Sequence, residues 1–165
     1  MSDSNHTDEE LREKALGIAR SARFCMVTVS NGASDLLSRP MTPQQVTDDG
    51  EIWFLIDATG DQAAQVTAHP AVNLAFVDSS TWLSVSGRGK VLRDRAKVEE
   101  LWNSAAEAWF PEGPSDSRLG VLRVLGKSAE YWDAPGGRIA TVLSFIKAKA
   151  TGHALSADNE AVRLR

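Results

Sequence analysis

"EIWFLIDATGDQAAQVTAHPAVNLAFVD", residues 51–78, is the stretch on which the fold turns. Its apolar run IWFLI (52–56) is rich in strand-forming residues, and AVNLAFVD (71–78) is a second such run. Between them ATGDQAA (58–64) is the turn where the first strand gives way to a short helix over residues 61–69. A turn that opens a helix presents backbone N–H groups and the positive end of the helix dipole, so it suits an anion such as phosphate. This one carries Asp61 and no Lys or Arg.

Upstream, TDEELREKALGIARSA (7–22) begins with Thr7 and Glu10 in capping-box spacing and sets Leu11, Ala15, Ile18 and Ala19 on one helical face. RFCMVTV (23–29), LLSRPM (36–41), QQVT (44–47) and EIWFLID (51–57) follow as strands, separated by the turn signals SNGAS and DDG, and read as an antiparallel meander. Downstream, TWLSVSGRGKVLRD (81–94) is a strand bent at Gly87 or Gly89. Residues 94–110 read as a long helix capped by Asp94 and stopped by Pro111, with Trp102 and Trp109 on one face. RLGVLRV (118–124) and AEYWDA (129–134) return as strands, and Ile139, Val142, Leu143 and Ile146 keep helical spacing behind the Gly136–Gly137 pair. The spacing thus predicts a mainly β fold with flanking helices: one domain over residues 1–153, built on about six antiparallel strands, and a polar tail over 154–165.

A chain of 165 residues, 42% hydrophobic and 24% charged, has the length and composition of one globular domain. A net charge of −4 argues against nucleic acid or an anionic membrane as partner and favours a small molecule or a protein. The N-terminal stretch lacks the order of a secretory signal and no apolar run has the length of a membrane span, so the expectation is a cytoplasmic protein. The single cysteine, Cys25, lies in a strand and reads as a small buried hydrophobe. His6, His69 and His153 are scattered, which predicts no metal site, and there is no GxSxG elbow. SGRGK (86–90) lacks the context of a phosphate loop and reads as a strand bulge. Arg39 stands between apolar strand positions, where a charge needs a partner: either an acid such as Asp57 or a ligand.

Taken in order, ARFCMVTV, SRPM, GEIWFLID, HPAVNLAFVD, WLSVSGRGKVLRDRAKVEELWN, AWFPEG and AEYWDAPGG resemble the general stress protein branch of the pyridoxamine 5′-phosphate oxidase-like proteins over residues 10–153. The resemblance implies an FMN-binding split β-barrel, usually a homodimer with FMN at the subunit interface. It makes Arg39, with Met41 and Thr42 beside it, a candidate for the phosphate or ribityl end of the flavin. It sets the backbone of Phe54, Leu55 and Ile56 along the flavin ring, Gln62 on the phosphate turn and Trp109 at the closing end of the site. The chain departs from the family pattern at two of these positions. Ile56 stands where many relatives have Thr, and Gln62 where relatives typically have Lys.

Exchanging that Lys for Gln removes a charge-assisted hydrogen bond, about 1.5 to 3 kcal/mol or on the order of 10- to 150-fold in affinity. Asp61 is placed to cap the helix and to occupy the N–H groups a phosphate would use, so the turn reads as a phosphate site partly converted into a self-capped helix. FMN binding then rests on Arg39 with Arg88 or Lys90, or is lost, and FAD or a deazaflavin becomes the alternative cofactor. No catalytic acid or base stands out. An FMN-dependent oxidoreductase or flavin reductase is one expectation, and a cofactor-free dimeric module acting by protein contacts is the other.

Overall fold

The computed structural model describes residues 7–78, 80–133 and 158–164. The helix expected over residues 138–149 lies outside them. Helix α1 (Asp8–Ser21) begins as its sequence requires: Glu10 N donates to Thr7 Oγ1 at 3.3 Å and Thr7 N to Glu10 Oε2 at 2.8 Å, closing the capping box. It buries Leu11, Ala15, Leu16 and Ala19, the apolar face read from the spacing with Leu16 in place of the half-buried Ile18.

Among the described residues eight strands follow: β1 (Cys25–Ser30), β2 (Leu36–Met41), β3 (Gln45–Val46), β4 (Glu51–Asp57), β5 (Ala71–Val77), β6 (Thr81–Leu92), β7 (Leu119–Asp133) and β8 (Asp158–Arg163). They form one antiparallel sheet in the order β2-β1-β5-β6-β7-β4-β3, with β8 also on β7. The mainly β architecture with flanking helices is the one expected. The expected segments QQVT and RLGVLRV with AEYWDA appear as the short β3 and the single long β7, and β8 is added within residues 154–165, the stretch read as a polar tail. There Val162 and Leu164 are buried while Ala161 and Arg163 are exposed, a period-2 alternation too short to stand out in a polar stretch.

Strands β6 and β7 are long because they pair with each other throughout and bend together. The register shifts between Ser86 and Gly87, which face Ser128 and Gly126, so Lys127 is left without a β6 partner. A Cβ on Gly87 would lie 2.4 Å from Leu125 O, so glycine is required at this bend. The other edge of β7 is shared end to end. Residues 119–125 pair with β4 and residues 128–133 with β8.

Between β4 and β5 lies helix α2 (Asp61–Ala68), and between β6 and β7 lie α3 (Arg95–Leu101) and a single 3-10 turn (Ala106–Ala108). The long helix expected over 94–110 is therefore broken. Asp94 does cap α3, accepting from Lys97 N at 3.1 Å, but Trp102 is extended (φ −63°, ψ 137°). Asn103 Oδ1 then accepts from Ala105 N and Ala106 N, starting a new turn by the competition for backbone N–H groups that marks Asn at caps. Trp102 and Trp109 consequently do not share a helix face.

Two apolar clusters form the core among the described residues. The larger fills the inside of the sheet with Val27, Val29, Ile52, Phe54, Leu74, Phe76, Leu83, Val85, Leu122 and Val124, closed by α1 and α2. The smaller packs Trp53, Leu55, Leu119 and Val121 against Val98, Leu101 and Ala106. Strand β4 is thus buried on both faces, which explains its uninterrupted apolar run. Each fully buried side chain of this size contributes roughly 1.5–3 kcal/mol.

Candidate functional site

A cleft of about 440 Å³ opens where β2, the end of β4, the start of α2 and the 3-10 turn converge. Of the eight residues marked out in the sequence, seven line it: Arg39, Met41, Thr42, Leu55, Ile56, Gln62 and Trp109. Phe54 does not. Its side chain is 0% exposed inside the larger core, one pair of residues further from the strand end than Ile56.

The backbone groups of β4 alternate between its two edges. Ala58 N bonds to Arg118 O and Gly126 N to Gly50 O, so even-numbered residues turn their N–H and C=O toward β7. Trp53 turns the other way and accepts from Gln44 N at 2.8 Å. The β3 pairing stops there, at Gln45 opposite Trp53. Among Phe54, Leu55 and Ile56, Leu55 is therefore the residue whose backbone faces the open edge and is free for a ligand; Phe54 and Ile56 are committed to Leu122 and Gly120 of β7.

Arg39 is half-buried on β2 and makes no hydrogen bond or ion pair among the described residues. Asp57, its candidate partner, is engaged elsewhere. Asp57 Oδ1 accepts from Thr59 Oγ1 at 2.6 Å and Thr59 N at 2.8 Å, and Oδ2 lies 3.9 Å from Arg118 Nη1. The Thr59 hydroxyl, then its N–H, hold the Asp57 carboxyl below the usual carboxylate range. Its contribution to stability is accordingly present above that range and lost as pH falls through the lowered value.

The start of α2 differs from the expectation. Gly60 is the N-cap (φ −81°, ψ 167°), and among the described residues no side chain caps the helix; Asp61 is an exposed first-turn residue that does not claim its N–H groups. Gln62, 9% exposed, directs Nε2 to Met41 Sδ at 3.4 Å and so ties α2 to β2. Arg39 lies two residues from Met41 on the same side of β2, about 7 Å along the strand. Arg88 and Lys90 do not reach this place. They are exposed on β6 and absent from the cleft wall.

Two contributors escaped the sequence. Gln44 and Phe24 line the cleft, as do Asp57 and Phe110, and Asn103 Nδ2 donates to Gln44 Oε1 at 2.5 Å, fixing the 3-10 segment against the segment that leads into β3. The helix-breaking tendency of Asn103 was the one available signal. Trp109 is 71% exposed at the mouth. The wall carries Arg39 and Asp57 as its only charged groups among the described residues, and no His, Cys, Lys or Tyr. Cys25 is buried away from it, its thiol pushed up to about 12 by burial. Among the described residues no His, Cys, Asp and Glu cluster could hold a metal, and no helix is long and apolar enough to cross a membrane.

A half-open antiparallel barrel with a cleft beside the free edge of one strand defines a split-barrel protein. The family model described as pyridoxamine 5′-phosphate oxidase like matches residues 10–156, and the chain belongs to that family. It is 25% identical to a protein provisionally designated general stress protein 26 from Jannaschia sp. CCS1, at a TM-score of 0.70 over 93% of this chain and 98% of that one. It is 30% identical to the general stress FMN/FAD binding protein of Xanthomonas citri, at a TM-score of 0.67 over 79% of this chain and 93% of that one. Protein bli-3 of Neurospora crassa is 28% identical over 144 residues, 80% of this chain and 69% of its own length.

The residues present fit a flavin in part. Apolar walls from Met41, Leu55, Ile56 and Phe110 suit a flat ring, the Leu55 backbone offers a donor and an acceptor, and Arg39 is an uncommitted cation. When bound, flavin itself supplies hydride or electron transfer. This chain's own residues would bind and orient it.

Proposed function

We propose that this chain is a flavin-binding general stress protein that works as a homodimer, with FMN or FAD held in the cleft between β2, the β4 edge and the start of α2. The observation that carries this is Arg39, an unpaired cation beside apolar walls and an uncapped helix start. An isolated charge of this kind is costly to keep half-buried unless something binds it. The absence of acid–base side chains from the described wall, apart from Asp57, favours flavin binding or an undemanding flavin redox step over chemistry that needs a proton donor.

The dimer reading rests on the outer face of the sheet. Met26, Val77 and Trp82 are exposed there, with Val77 directly opposite Trp82 and Met26 opposite Ala75. Apolar side chains gathered on one sheet face favour burial against a second copy.

Titration of the purified protein with FMN and FAD, followed by quenching of flavin fluorescence, tests the proposal together with the mass of the particle by light scattering. Micromolar binding by a dimer is the expected result. Absence of binding at submillimolar flavin would leave the barrel as a cofactor-free module acting by protein contacts.

A further inference from the structure

The segment that closes the cleft, residues 103–110, needs an attachment of its own. Trp102 is extended, so the chain beyond it is no longer carried by α3. That helix is fastened independently: Lys97 Nζ donates to Gln45 Oε1 at 2.7 Å and lies 4.6 Å from the centre of the Trp53 ring. Apolar packing holds part of the segment, because Ala106 belongs to the smaller core and Phe110 packs against it.

Asn103 supplies the rest with the two ends of one amide. Its Oδ1 accepts from Ala105 N at 3.0 Å and Ala106 N at 3.3 Å, which starts the 3-10 turn. Its Nδ2 donates to Gln44 Oε1, and Gln44 Nε2 donates in turn to Thr42 O at 3.1 Å. On the other side Ala106 O accepts from Trp109 N at 3.0 Å and Phe110 N at 2.9 Å. Hydrogen bonds thus run without a break from Thr42 through Gln44, Asn103 and Ala106 to Phe110. Thr42, Gln44, Ala106 and Phe110 line the cleft, and Asn103 stands behind its described wall. Among the described residues no other hydrogen bond joins residues 102–110 to residues 39–44. Apolar packing is non-directional, whereas a hydrogen bond fixes both distance and direction.

Resting on the flavin reading above, we infer that Asn103 is a positioning residue of the cleft. Without touching the ligand, its amide sets the distance of Trp109 and Phe110 from Thr42 and Gln44, and flavin affinity depends on that distance.

The test is a double-mutant cycle on the full-length protein, read as the FMN dissociation constant well below the melting temperature. Asn103→Ser keeps an oxygen to start the turn but is too short to reach Gln44, and Gln44→Met keeps its length and removes the acceptor. Asn103 is exposed, which puts its bond at the low end of the usual range, so each variant should weaken FMN by about threefold. The double variant should also lose about threefold, because both changes break the same bond. An unchanged constant in Asn103→Ser overturns the inference, since Ser replaces without loss a residue that only starts the turn. A double variant weakened by about ninefold overturns it as well, since the two residues then act separately. Thr7→Ala, which removes a cap on α1 outside the cleft wall, is the reference. If it weakens FMN as much as Asn103→Ser does, lost stability alone explains the effect and the inference falls while the flavin reading stands. Native protein that fails to bind FMN at submillimolar concentration removes the flavin reading, and the inference with it.

Discussion

Helices α1 and α2 start in opposite ways. The first is sealed by its own side chains, with Thr7 and Glu10 exchanging bonds with the backbone and Asp8, Glu9 and Glu10 in its first turn. The second begins on a glycine with no side-chain cap, and Asp57, at the end of β4, is turned back onto Thr59 in the preceding loop. A sealed start serves stability. An open start, beside an Arg39 with no partner among the described residues, is where the proposed ligand would sit, and the two can be separated by mutation.

The largest effect is expected at the open end. Arg39→Ala should weaken flavin binding by at least about tenfold, the loss of one charged hydrogen bond, while leaving thermal stability unchanged because Arg39 has no partner among the described residues. An unchanged dissociation constant would take Arg39 out of the site. Thr7→Ala should do the reverse, lowering unfolding free energy by about 1 kcal/mol in urea with no change in flavin affinity. Smallest is Gly60→Ser, which gives α2 the cap that α1 already has. Its φ of −81° admits Ser without strain, and a gain of a few tenths of a kcal/mol is expected in the same urea experiment. A loss of FMN affinity beyond about threefold in this variant would mean that the open N–H groups hold an anion; a smaller change would mean that they do not.

The contrast also shows what can be read from the chain alone. The cap of α1 was legible because its donors and acceptors lie three residues apart and need no tertiary partner. Asp61 beside a helix start looked equally like a cap, yet it stands one residue too late, and the cap position falls on Gly60. The strands around IWFLI were legible from composition, and the resemblance brought Arg39, Met41, Thr42, Leu55, Ile56, Gln62 and Trp109 forward as a group. Which of the Phe54, Leu55 and Ile56 backbones faces the open edge was not legible, because a run buried on both faces gives no alternation from which to read strand direction or neighbours. β7 read as two strands because Gly126, Lys127 and Ser128 look like a turn; only the matching bulge in β6 lets the strand run on. Asp57 and Gln44 reach the cleft through strand ends and loop hydrogen bonds, which no local pattern announces.

The shared edge of β7 has a consequence for how the protein is made. Leucine and valine from β8 and the residue after it, Val162 and Leu164, complete the inner core, and Leu164 N bonds to Lys127 O where Gly126 meets Gly50. During synthesis, β4 can zip onto residues 119–125 as soon as these leave the ribosome, whereas residues 128–133 keep that edge bare until residues 158–163 follow. A bare edge invites pairing with other chains. The interval before β8 docks is thus the moment at which a nascent chain is most exposed to aggregation, and crowding or slowed translation within it should lower the yield of folded protein.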